Sequence, residues 1–378
     1  MLSSLKDPVD ASVVGRALVI KLRHHGDVLL TSPVFTVLKR AIPAVEIDAL
    51  VYLDTAPMLE GHPAITRIHT IDRNWKRHGL LAQAGAERGL LAALRARRYD
   101  LIVHLTEHPR GAWLTRLLRP RYSVARQLDD THRLWRTSFT HYYRLPRTTP
   151  RHTVECNLDA LRRIGFQPDP GEKQLVLRPD AASAARVRTL LAQHGLAPQA
   201  FVALHPGSRW LFKCWPATSY AGLLERLAAG GMRVVVTGAP DPRERSLVDA
   251  ILAAASAAAR AQVIDLTGQL SLRELAALTR EARAFVGVDS APMHIAAAMG
   301  TPVIALFGPS GDIEWGPWGV AHRIIASKEH PCRPCGIDGC GGGKVSECLT
   351  TLPVERVHTA LVELLASTRP RSAPWGEP

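Results

Sequence analysis

Residues 284–308 read AFVGVDSAPMHIAAAMGTPVIALFG, and the fold turns on this stretch. Two short apolar runs, Ala284–Val288 and Pro302–Gly308, bracket a helix-forming segment near Pro292–Met299. A run of four to eight apolar residues without a polar alternate face is the mark of a strand buried on both sides. Ser290 is placed to cap the intervening helix. A strand, a helix and a strand in so little chain imply a parallel pair joined by a right-handed crossover.

The same unit recurs in both directions. Towards the N-terminus lie the apolar runs Phe201–His205, Met232–Gly238 and Gln262–Leu266, separated by helical segments Trp215–Ala229, Pro242–Ala259 and Leu272–Ala282. A second set begins with the strand Ala17–Leu22, the loop HHGD and a helix to about Arg40 that Pro43 stops. It continues with a strand Glu46–Tyr52, a helix Leu80–Arg98, a strand Asp100–Leu105 and two weaker candidate strands, Arg121–Arg126 and Phe139–Leu145. Between the sets, residues 165–179 are weakly patterned and hold three prolines, which suits a linker. The expected fold class is α/β: two Rossmann-like parallel-sheet domains, residues 1–178 and 179–378, facing a cleft. A C-terminal helix is left free to pack back on the first domain.

Composition narrows the function classes. With 378 residues, two domains are the natural division, and 46% hydrophobic residues exclude a disordered chain. No apolar run reaches the roughly 20 residues of a membrane span. Lys6, Asp7 and Asp10 interrupt the opening segment before any apolar stretch, so it does not read as a signal peptide, and a cytoplasmic protein is expected. The formal charge of +13 favours anionic partners. Basic residues are scattered through helices and no nucleic-acid motif stands out, so an anionic membrane surface or a phosphorylated substrate ranks above nucleic acid.

Several loops carry chemistry. After the first strand, Lys21-Leu-Arg-His-His-Gly-Asp27 turns tightly at Gly26. Asp27 reads either as the N-cap of the next helix or as a carboxylate that accepts a proton from an acceptor hydroxyl. Lys21 is either a strand-end lysine reaching solvent or a cation beside that carboxylate. In His205-Pro-Gly-Ser-Arg209, backbone amides, Ser208, Arg209 and nearby Lys213 suit a diphosphate, though no Walker A or GxGxxG pattern is present. Trp210 and Trp215 read as packing residues. Asp289 ends a buried strand beside Ser290, Ala291 and His294, where helix-start amides suit phosphate or sugar oxygens. His294 reads equally as a packed helix residue.

Cys332, Cys335, Cys340 and Cys348 form a C-x2-C-x4-C-x7-C cluster in a glycine-rich loop. Four thiolates suit a structural zinc, and reduced or redox-active thiols are the other reading. No HExxH or similar set points to a catalytic metal.

Taken together, KLRHHGDVLLTSPVF, HPGSRWLFKCWP, TGQLSLRELAAL, FVGVDSAPMHIAAAMGTPVIALFGPS and the cysteine-bearing tail resemble glycosyltransferase family nine, the ADP-heptose:lipopolysaccharide heptosyltransferases. Within it the resemblance is to the heptosyltransferase III type, and it covers residues 17 to about 365. It implies a GT-B fold and an inverting transfer of L-glycero-D-manno-heptose from ADP-heptose to the lipopolysaccharide inner core, with no cofactor. It also implies roles. Asp27 corresponds to the general base, Lys213 to the lysine on the donor phosphates with Ser208 and Arg209 beside it, and Leu270 to the position whose backbone meets adenine. Asp289 corresponds to the aspartate on the heptose hydroxyls, with Ser290, Ala291 and His294 in the same turn, and Glu244 lies where a ribose-binding carboxylate is expected. Lys21, Arg110 and Arg116, with Arg119, are candidates for the acceptor's anionic groups, a solvated helix face being the alternative. The expected setting is peripheral to the inner membrane. Alternatives are heptosyltransferase I or II, a nucleotide-sugar epimerase of the same architecture, and a non-enzymatic module built on the cysteine cluster.

Overall fold

The structure, a computed structural model, describes residues 8–128, 133–146 and 148–371. Residues 1–7, including Lys6 and Asp7 of the opening segment, lie outside them. The chain divides into two compact units between Arg178 and Pro179.

The first unit is a six-stranded parallel sheet of β1 (Arg16–Ile20), β2 (Glu46–Tyr52), β3 (Arg67–Ile71), β4 (Leu101–His104), β5 (Tyr122–Arg126) and β6 (His141–Tyr143). Its strand order is β3-β2-β1-β4-β5-β6. The second unit holds β7 (Phe201–His205), β8 (Arg233–Val236), β9 (Val263–Asp265), β10 (Ala284–Val288), β11 (Val303–Phe307) and β12 (His322–Ala326), in the order β12-β11-β10-β7-β8-β9. Both are the same doubly wound arrangement. The chain starts at the centre, winds to one edge, returns and winds to the other, leaving a switch point between β1 and β4 and between β7 and β10. Helices cover both faces, so the central strands β7, β10 and β11 are buried at every residue. That is why they read as unbroken apolar runs.

The edge strands β3 and β12 escaped the sequence reading. Each is paired on one side only and most of its residues are partly exposed, so no apolar run marks it. Two expected helices are each divided. Pro33 stands in the first turn of the helix Ser32–Ala41, where its missing N–H costs nothing, and the preceding helix is confined to His25–Leu29. The segment 242–259 forms Pro242–Ala254 and then Ala257–Ala261, because the Ser256 hydroxyl accepts from Ala259 N and starts a new helix. The stretch 165–179 is not a loose linker. Leu175 and Leu177 are buried, and Val176 N donates to Ser32 Oγ at 3.0 Å, so it packs on the first unit up to the boundary. The last helix, Val354–Ser367, buries Val357, Leu361 and Leu364 in the core of the second unit.

A buried polar cluster ties the first unit together. Asp48 on β2 has no exposed surface, and its carboxylate accepts from Tyr99 Oη at 2.7 Å and Arg97 Nε at 2.8 Å, with His69 Nε2 at 3.3 Å. Burial pushes this carboxyl upward, but the bonds from His69, Arg97 and Tyr99 outweigh it and hold the pKa at about 2.

Candidate active site

In a doubly wound sheet, ligands are met at the carboxyl ends of the strands around the switch point. In the second unit the ends of β10, β7, β8 and β9 lie side by side, and the segments that follow them carry the residues expected on the donor side.

The loop after β7 is braced from below. His205 is buried; its Nδ1 lies 2.9 Å from Thr237 Oγ1, and its Nε2 lies 3.5 Å from Glu244 Oε2. Glu244 is itself buried and accepts from Ala239 N at 2.7 Å, so one carboxylate links the loops after β7 and β8. Its burial raises the pKa, yet the His205 and Ala239 contacts prevail and the carboxyl is held below its ordinary value. Gly207 passes so close to this carboxylate that a Cβ would sit 2.7 Å from it. Ser208 is buried beside them, and Trp210 N donates to its Oγ at 3.4 Å.

Lys213 closes the short 3-10 turn Leu211–Lys213, and its Nζ donates to Asp289 Oδ2 at 2.6 Å. This joins the loop after β7 to the loop after β10 across the switch point. Asp289 is buried and Lys213 partly so, which makes the pair stronger than a surface ion pair. Ser290 occupies the N-cap position of the helix Ala291–Ala298, but it does not cap it: its hydroxyl donates back to Val288 O at 3.3 Å. The Ala291 amide at the helix start therefore faces no side-chain acceptor from Ser290, and Pro292 brings no N–H. His294 is buried within that helix. Leu270 is half-buried, between Gly268, at φ +74°, and Ser271, which caps the next helix. Arg209 is exposed, with its guanidinium 5.3 Å from the Trp210 ring. Trp215 packs as expected, fully buried edge-on to Tyr220. Trp210 does not: it is 46% exposed and stacked on Phe212 alone among the described aromatic contacts, because the loop carries it outward.

The cysteine segment braces this site. Among the described residues no group of three or more His, Cys, Asp or Glu side chains is placed to hold a metal ion, so the zinc reading is not supported. Cys332, Cys335 and Cys340 are exposed, whereas Cys348 turns inward. The glycines serve the turn: Gly339 adopts φ +86°, and a Cβ there would lie 2.4 Å from Val345 N. From this turn Ser346 Oγ donates to Phe212 O at 2.6 Å, beside Lys213, and Leu349 packs under Gly308. Nothing local in the sequence signalled this, since the contact links residues 134 apart.

In the first unit, Asp27 lies at the third position of the helix His25–Leu29, not at its N-cap, which is His24. Its Oδ2 accepts from His24 N at 3.4 Å, a long bond, and the side chain is partly exposed. Lys21 is buried; its Nζ donates to Leu105 O at 3.1 Å and to Asn157 Oδ1 at 3.4 Å. Burial lowers its pKa, and the charge of Asp27 acts against that. Arg110 pairs with Glu87 and Arg116 donates to Ser138 Oγ at 2.8 Å, so both are engaged within the unit. Arg119 ends the helix Pro109–Leu118 at the opposite end of the sheet from Asp27.

Two doubly wound halves, one with a lysine–aspartate pair and a glycine loop at its switch point, define a two-domain α/β architecture with polar loops at the carboxyl ends of its strands. Residues 88–345 match glycosyltransferase family 9 (heptosyltransferase). The chain is 38% identical over 300 residues to lipopolysaccharide heptosyltransferase 3 of Escherichia coli, covering 79% of this chain and 84% of that protein. Among solved structures it resembles a family 9 glycosyl transferase from Veillonella parvula, with a TM-score of 0.79 and 24% identity over 94% of this chain and 98% of that one. It also resembles the ADP-heptose lipopolysaccharide heptosyltransferase II of E. coli, with a TM-score of 0.73 and 22% identity over 93% and 98%. The chain belongs to glycosyltransferase family 9. It is a glycosyltransferase of GT-B fold, which sets aside the epimerase and the non-enzymatic module. Among the described residues no helix is long and apolar enough to cross a membrane.

Proposed function

We propose that the protein transfers heptose from ADP-heptose to the inner core of lipopolysaccharide, as a heptosyltransferase of type III, with inversion at the anomeric carbon. The observation that carries this reading is the Lys213–Asp289 bond at the switch point of the second unit, in a chain 38% identical to a type 3 enzyme. A carboxylate placed to hold sugar hydroxyls would repel a diphosphate. The lysine cancels that charge and offers its remaining protons to the phosphate oxygens. As the glycosidic bond breaks, negative charge grows on the leaving ADP, and Lys213 with the backbone donors of the Ser208 loop would stabilise it without reorganising. Glu244 would take the ribose hydroxyls, and the Leu270 backbone the adenine. Asp27, partly exposed and weakly bonded, is the proposed base on the acceptor hydroxyl. Buried Lys21 is proposed to act beside it as a fixed charge, with direct contact to the acceptor left to exposed cations.

No cofactor is proposed for the transfer. The +13 formal charge supports work at the anionic inner-membrane surface, where a lipid-anchored acceptor resides. The test is to incubate the protein with ADP-heptose and a series of truncated cores and to weigh the products. A mass gain of one heptose on one core class is expected; ADP release without any gain on the cores would refute the reading.

A further inference from the structure

At the amino ends of the first unit's strands, away from the Asp27 end, lies a cavity of about 400 Å3 walled by Arg95, Arg98, Arg119 and Arg121. Arg98 and Arg119 stand directly after the helices Leu80–Arg97 and Pro109–Leu118, both in left-handed backbone at φ 49°. Glycine usually fills such positions, so each arginine is held there against its backbone preference. The sole carboxylate in the wall is Asp100, and its Oδ2 already accepts from Gly15 N at 2.9 Å and Arg16 N at 3.0 Å. Arg121 lies 5.6 Å from the Tyr122 ring centre. Among the described residues the guanidinium groups of Arg95, Arg98 and Arg119 form no ion pair. A single cation at a helix end is accounted for by the carbonyl dipoles. Four converging on one hollow repel one another, and an anion between them removes that repulsion. Guanidinium forks match phosphate oxygens in pairs.

We propose that this cavity binds phosphate oxyanions, from a lipid head group or a free phosphoryl group, on a face distinct from the reacting one. Along the four residues of β4 the two ends of the sheet are about 13 Å apart. The inference uses the donor reading only to block the other phosphate site, and ADP binding is measured separately.

With ADP at saturation, the wild-type chain is tested against vesicles of phosphatidylglycerol in phosphatidylcholine, against pure phosphatidylcholine, and against inorganic phosphate. The same is done for Arg98→Gln/Arg119→Gln and Arg98→Gly/Arg119→Gly. Arg188→Gln/Arg323→Gln, two exposed positions in the second unit, is the charge-matched control. A lipid head group as ligand predicts binding to the anionic vesicles alone, reduced roughly thirtyfold in both cavity variants and at most a few-fold in the control. A free phosphoryl ligand predicts saturable phosphate binding lost in the cavity variants, with vesicles ignored. Glycine favours the left-handed backbone, so the glycine pair should melt no lower than wild type while losing the anion. Cavity variants that bind both probes as the wild type does would overturn the proposal, as would a control that loses as much.

Discussion

At the scale of the residue, the proposed reaction assigns the acceptor side to Asp27 and the donor phosphates to Lys213. Asp27→Ala should abolish transfer while leaving ADP affinity near wild type by calorimetry; a well-folded variant that still transfers removes Asp27 from the mechanism. Lys213→Met takes a cation from the phosphates and leaves the buried Asp289 carboxylate unpaired. Truncating one partner of such a pair should weaken ADP binding on the order of thirtyfold and lower turnover as well. ADP binding unchanged in this variant would show that the lysine serves only the fold. Both residues were singled out in the sequence because each stands in the segment that follows a strand end, Asp27 in the helix His25–Leu29 and Lys213 in the 3-10 turn Leu211–Lys213. Glu244 was harder to read: it stands in the helix Pro242–Ala254, and its partners are His205 at the end of β7 and Ala239 in the loop after β8. That convergence is tertiary, and no spacing along the chain reports it.

At the scale of the element, glycines and cysteines take their meaning from packing. Gly111 in the helix Pro109–Leu118 faces the His104 ring, and a Cβ would fall 2.1 Å from it. That ring is held between Trp135 and Phe139, each about 5.6 Å away between centroids, so it cannot retreat. Gly111→Ala should cost about 1–3 kcal/mol, read as a fall in denaturation midpoint at unchanged slope; an unchanged midpoint would show that the helix shifts freely. Thiol chemistry divides along similar lines. Cys214 is driven to about 12 by burial and Cys348 is also raised, so neither supplies thiolate near neutrality. A thiol reagent at pH 8 should label Cys332, Cys335 and Cys340 first, mapped by peptide mass, and early labelling of Cys214 would contradict its placement. The central strands were readable to within a residue or two because burial on both faces leaves them with runs of apolar residues and few polar ones. The edge strands β3 and β12 and the divided helices were not, since a half-exposed strand carries no clean period and a new cap such as Ser256 looks like any other serine.

At the scale of the whole molecule, acid is the informative perturbant. The Asp48 carboxyl titrates at about 2 in the folded chain against an ordinary 3.8, so the folded state favours its ionised form. The stability it contributes is complete above the ordinary value and is lost as pH falls from there through about 2. Nearly two units correspond to roughly 2 kcal/mol. Melting temperature should stay level from pH 7 to 5 on this account and fall below pH 4, with Asp48→Asn showing a shallower acid slope from a lower starting point. An equal slope in the variant would assign the acid loss to other carboxylates. The division into two doubly wound halves was legible throughout, because the alternation of apolar runs and helical segments restarts after the prolines near residue 170.

The last helix carries a consequence for how the chain is made. Val357, Leu361 and Leu364 complete a core whose first members, Val202 and Leu204, are synthesised about 150 residues earlier. During translation the first half can close its sheet while the second is still emerging. The half with the lysine–aspartate pair stays open until the helix Val354–Ser367 has emerged to complete that core. A nascent chain stalled just before Val354 should thus present a protease-resistant first half joined to a sensitive second half, and the Lys213–Asp289 bond is set only once the helix Val354–Ser367 has joined the core.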